Sequence, residues 1–165
     1  MVSRHAVYAS RAMAGRVRRY HTWRMLQTQS VAEHCWNVAC IFVEVFGLPR
    51  AEVLYFCMHH DSGELWSGDV PFGTKKAIDG MKTMMDHAEA LGRQKLGIVL
   101  PELTKLECVQ VKICDLLEMH EHGTIERNLG NQYADPIIYD TRDAAQKLAG
   151  EHDLSHLVNK WLARI

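Results

Sequence analysis

The fold class this sequence predicts is all-α, in one domain. Three observations lead there. Apolar residues recur at the i, i+3, i+4, i+7 spacing of a helix face along most of the chain. A Ser-x-x-Glu capping box, prolines and glycines stand at the ends of those stretches, where helices open and close. Finally, 165 residues with 47% hydrophobic content suffice for one well-filled core, and no internal repeat, low-complexity tract or linker divides them.

Residues 3–17 read as a first helix with Ser3 as its cap, running into the basic cluster Arg16, Arg18 and Arg19. The aromatic and basic stretch Tyr20-His21-Thr22-Trp23-Arg24 follows, and its plainest reading is a solvated loop with its aromatics resting on the core. A second helix opens at Ser30-Val31-Ala32-Glu33, where Ser30 caps the amide of Glu33 and Glu33 reaches back. Val31, Cys35, Val38, Phe42, Val45 and Phe46 form its apolar stripe. His34 falls in the first turn at the edge of that stripe, either as a hydrogen-bonded core histidine or as a ligand.

Gly47 stops this helix and Pro49 opens the third, which is expected to reach about Asp61. Its apolar meridian passes through Cys57, with His60 and Asp61 on either side. Residues 62–76 read as a loop rich in glycine and charge. Residues 79–97 give a methionine-rich helix with Met81, Met84, Met85, Ala88, Leu91 and Leu96 as core. Pro101 is expected to open a long central helix reaching about Glu121, with Asp115 among apolar neighbours as a buried acid in want of a cation, supplied by an Arg, a Lys or a metal. After a polar stretch, a closing helix with Leu154, Leu157, Val158, Trp161, Leu162 and Ile165 seals the core or serves a subunit contact. His120, His122, His152 and His156 read as surface histidines.

A formal charge of −1 leaves nothing global to steer the chain to nucleic acid or to a membrane surface, and no apolar run approaches the roughly 20 residues of a membrane span. The five cysteines, Cys35, Cys40, Cys57, Cys108 and Cys114, lie in apolar helical stretches without CxxC spacing. That pattern suits buried free thiols in a reducing compartment, so a cytoplasmic location is expected.

The chemistry gathers at His59-His60-Asp61. An adjacent His and Asp at the end of an apolar helix offer one imidazole nitrogen and one carboxylate oxygen, both good ligands for a divalent metal. Two ligands are too few, and His34 before the pair with Asp115 after it would complete a set drawn from three helices. Glu64 and Asp69 lie just beyond, where acid/base groups would be expected, and Lys75 and Lys76 could meet phosphate.

The ordered set His34, His60-Asp61 and Asp115 resembles that of the HD-domain metal-dependent phosphohydrolases. The match extends through Arg19, the VAEH segment ending at His34, the HHDSGE segment from His59 to Glu64, GDVPFGTK ending at Lys75, and KICD ending at Asp115. In these it is similar to the bacterial 5′-deoxynucleotidases, and still closer to the compact phage dATP triphosphohydrolases, whose RxHT…QxVAEH…W pattern resembles Arg19-Tyr20-His21-Thr22, Gln29 to His34, and Trp36.

The resemblance implies a bundle of about six to seven helices with a metal site in its centre. It implies His34, His60, Asp61 and Asp115 as metal ligands, Arg19 and Lys75 as phosphate contacts, Glu64 as the acid that positions or deprotonates water, and Asp69 as a second acid near the leaving oxygen. Tyr20 stands where the family packs an aromatic near deoxyribose and base, with Thr22, Trp23 and Lys76 nearby. The substrate expected is a small deoxynucleotide. Hydrolysis of dATP to deoxyadenosine and triphosphate is the leading reading; a 5′-deoxynucleotidase acting on monophosphates is the alternative, and a non-catalytic nucleotide-binding module the second. Zinc, cobalt or manganese suits a histidine and carboxylate site, magnesium could accompany a triphosphate, and relatives lead one to expect a homo-oligomer, dimer to hexamer.

Overall fold

The computed structural model describes residues 11–165, the side chains of Phe72, Gly73 and Lys76 apart. The helix expected over residues 3–17 therefore lies, with Ser3, largely outside the described residues; among those described, a single helical turn, α1, spans Arg11–Ala14 and stops short of Val17. Helices α2 (Val31–Phe46), α3 (Ala51–His59), α4 (Glu64–Ser67), α5 (Phe72–Ala77), α6 (Met81–Lys95), α7 (Lys105–Asn128), α8 (Asp135–Gly150) and α9 (Ser155–Leu162) follow. Among the described residues the only β-type pairing is an isolated antiparallel bridge between Arg18 and Ser30. The all-α expectation holds.

The chain forms two compact units. The first holds residues 11–24, Thr28–Cys35 and Met58–Leu100. Its basic segment is fastened beside the start of α2, with Val31 N donating to Val17 O at 2.9 Å and Arg19 N to Gln29 O at 2.9 Å. The capping box forms as expected: Glu33 N donates to Ser30 Oγ at 3.2 Å, and Ser30 N to Glu33 Oε2 at 3.1 Å. Farther along, the turn after α3 is pressed against α6. A Cβ on Gly63 would stand 2.2 Å from the Glu89 carbonyl oxygen, and one on Gly92 would stand 2.7 Å from the Gly63 carbonyl oxygen, so only glycines let these backbones meet.

The second unit holds Met25–Gln27, Trp36–Cys57 and Pro101–Ile165. Its core joins Val38, Phe42 and Val45 of α2, Val53 and Cys57 of α3, Ile113 and Leu117 of α7, Ala145 of α8, and Val158 and Trp161 of α9. Burial of this apolar surface is the main favourable term holding these helices together.

Several expectations need correction. The long helix starts at Lys105 rather than at Pro101, because Thr104 and Glu107 make a second capping box there, and it runs on to Asn128. Residues 62–76 are not one loop: α4 and α5 form within them, too short for their periodicity to show in the sequence. Met84 and Leu91 are exposed on the outer face of α6, whereas Leu96 is buried. His120 and His122 are buried, not on the surface, since α7 is covered on more than one side; His120 Nδ1 meets Ile138 O at 3.0 Å. All five cysteines are free thiols, but Cys108 is exposed and Cys40 only half-buried. Among the described residues no helix is long and apolar enough to cross a membrane.

Candidate metal centre

His34 reaches its position because the Ser30 cap starts α2 four residues earlier, leaving the imidazole in the first turn on the buried side. It is fully buried. α3 ends at His59, and His60 and Asp61 occupy the turn that follows, so their side chains leave the helix axis together. His34 Nε2 lies 3.5 Å from Asp61 Oδ2, and His60 Nε2 lies 3.4 Å from Asp61 Oδ1. The two imidazole centroids are 5.4 Å apart. One ligand atom from each of the three residues can be chosen so that all lie within 4.8 Å of one another.

These separations fit a metal. Two donor atoms each about 2.1 Å from a tetrahedral ion stand about 3.4 Å apart, longer than an ordinary N–H···O hydrogen bond. Two nitrogens and a carboxylate also form a donor set typical of divalent transition metals. The three residues thus could hold such an ion.

Around them sits a ring of charge. Arg19 Nη1 lies 3.0 Å from Asp61 Oδ2, with both side chains largely buried, and its guanidinium also stands 5.5 Å from the centre of the Tyr20 ring. Burial disfavours the charged form of His60, yet the Asp61 carboxylate and the Cys35 thiol, whose Sγ is 3.9 Å from Nδ1, outweigh it and raise its pKa to about 9. Glu64 is buried at the start of α4. Burial first, then the negative fields of Asp61, Asp69 and Glu89, push its pKa up to about 9 against the opposing pull of Arg19.

The other expected residues fall as follows. Asp69 Oδ2 accepts the backbone N–H of Tyr20 at 2.9 Å and so holds Tyr20 in a left-handed conformation, φ 56°. Thr22 and Trp23 are exposed in the turn beyond it. Lys75, on α5, points its Nζ to Glu89 Oε1 at 3.4 Å. Lys76 lies on the same helix, with its side chain outside what is described. Asp115 belongs to the second unit, half-buried on α7, where its Oδ2 accepts from the exposed Lys112 at 2.5 Å. Trp36, part of the matched pattern, is exposed.

The sequence reading gave no part in the site to Glu89 or Arg93, and read Cys35 only as a buried thiol of the α2 stripe rather than as a neighbour of His60. A basic residue in the last turn of an amphipathic helix ordinarily reads as a complement to the helix dipole, so nothing local distinguished Arg93.

An all-helical fold that brings the first-turn histidine of one helix to a His-Asp pair at the end of the next defines an HD-domain, metal-dependent phosphohydrolase. Residues 8–122 match the family model described as 5′-deoxynucleotidase YfbR-like, and the chain belongs to that family. No curated protein matches the sequence.

Proposed function

We propose that this enzyme is a 5′-deoxynucleotidase, hydrolysing deoxynucleoside monophosphates to deoxynucleosides and orthophosphate. The family match supports this reading over the dATP triphosphohydrolase that the phage resemblance put first. The observation that carries the chemistry is the convergence of His34, His60 and Asp61, with Arg19 on the same carboxylate. In this reading those three residues hold the ion, and zinc, cobalt or manganese suits them. Asp115 is the fourth ligand by resemblance, and loss of metal on Asp115→Ala tests it. A homo-oligomer, dimer to hexamer, belongs to the same reading, and sedimentation analysis checks it.

A divalent ion held there supplies Lewis acidity and a more acidic water near neutral pH. The chain does the rest. Arg19 is placed to balance the charge that spreads over the non-bridging phosphate oxygens as the P–O bond breaks. Burial and the carboxylates of Asp61, Asp69 and Glu89 raise the pKa of Glu64 in the ion-free protein, and positive charge nearby, as Arg19 already supplies, opposes that rise. A carboxyl under these opposing influences can take a proton from water and return one to the leaving 5′ oxygen. Asp69 fixes the backbone of Tyr20, whose ring is offered to the sugar and base. Lys75, held by Glu89, approaches the phosphate in this reading.

The test is a substrate panel. The purified protein is incubated with each deoxynucleoside mono- and triphosphate and with ribonucleoside monophosphates, in manganese, cobalt, zinc or magnesium. Orthophosphate from the deoxynucleoside monophosphates is expected. Release of intact triphosphate from dATP, without orthophosphate from dAMP, would return the triphosphohydrolase to first place.

A further inference from the structure

The His60-Asp61 pair hangs from the two ends of a single peptide group, and that peptide lies beyond the last residue of α3. The final carbonyls of a helix have no partner within it and need one from outside. For His60 O the structure provides Arg93, whose Nη1 donates to it at 2.8 Å from the last turn of α6. Arg93 is itself held in place, with Nη1 3.8 Å from Glu89 Oε2 one turn earlier, while Glu89 Oε1 takes Lys75 Nζ at 3.4 Å. The backbone contact at Gly63 and Gly92 presses α6 against the same turn, so the guanidinium reaches the peptide from a fixed support.

We infer that Arg93 is a positioning residue for the metal centre: by locking the His60-Asp61 peptide plane it holds the two side chains in ligating geometry. Arg93 touches neither substrate nor ion, and it acts through the ligands. The Nη1 that donates to the His60 carbonyl is also the Arg93 nitrogen paired with Glu89, so the charge pair steadies the group that makes the bond. Partners behind a ligand set ligand orientation, and their loss lowers metal affinity about 10- to 100-fold. The inference rests on the reading of His34, His60 and Asp61 as metal ligands.

Cobalt titration of the metal-stripped full-length protein, followed by the visible absorption of bound Co²⁺, tests it without any assay of turnover. Wild type should bind cobalt, and Asp61→Ala should not; absence of binding by wild type would overturn the ligand reading and this inference together. Given wild-type binding, Arg93→Met should raise the cobalt Kd about tenfold or more and alter the absorption bands, with an unchanged far-ultraviolet circular dichroism spectrum. An unchanged Kd and spectrum would overturn the role of Arg93 while leaving the ligand reading in place. If Arg93→Met does not fold, Arg93→Gln decides: its shorter side chain falls short of the His60 carbonyl that Arg93 Nη1 reaches, so a raised Kd supports the inference and an unchanged one overturns it.

Discussion

The Arg19 guanidinium lies 3.0 Å from the Asp61 oxygen that also faces His34 Nε2 at 3.5 Å. One carboxylate oxygen thus joins the permanent cation of the site to the ligand cluster, while the other faces His60 Nε2 at 3.4 Å. Asp61 is the hub. Asp61→Ala should lose both bound metal and turnover, measured as metal content after dialysis and as phosphate release. Full activity in that variant would remove the residue from the centre.

In the proposed reading Arg19 acts on substrate rather than on the ion. Arg19→Ala should retain metal but lower kcat/KM by about 100-fold, the order expected when a preorganised donor to a developing oxyanion is removed. Steady-state kinetics beside a metal determination separates this from a ligand defect.

Glu64 makes stability depend on pH. Its folded pKa, about 9, lies above its ordinary value of 4.5, so the folded state retains a proton that the unfolded chain has released. Stability from this group is complete below about pH 4.5 and is lost as pH rises through about 9. The Tm of metal-stripped wild type should therefore fall across that window, and Glu64→Gln should fall less. Parallel Tm profiles would show that Glu64 does not titrate in this way. In the loaded enzyme the same variant should keep its metal and slow turnover.

Gly63 sits where backbones touch. A methyl group there would meet the Glu89 carbonyl at 2.2 Å, and a backbone atom cannot turn aside as a side chain can. Gly63→Ala should destabilise the protein by about 3 kcal/mol, the upper part of the range for overpacking, lowering Tm by roughly 6–12 °C. Thermal unfolding checks this, and an unshifted Tm would place α6 farther from the turn than described.

Much of this was legible because it is local. The Ser30 and Glu33 cap, the stripe of α2 and the His60-Asp61 pair at a helix end each occupy a few consecutive turns, and physical rules for such segments apply without a fold. What escaped was tertiary. Arg93 meets His60 only because α6 folds back over the turn, and the single-turn α4 between Gly63 and Gly68 is too short to print a period. His120 and His122 misled because polar residues on a helix signal solvent only when one face is open to it, and both are buried on α7. Met84 misled in the opposite sense: a methionine at helical spacing stands exposed on α6.

The most direct test of a metal-dependent deoxynucleotidase built on His34, His60 and Asp61 is a joint titration of bound cobalt and orthophosphate release from dAMP, beginning with the metal-stripped protein. The account predicts no release at the start, and activity rising in step with cobalt to a plateau near one bound ion per chain. Orthophosphate release from protein carrying no metal would contradict it.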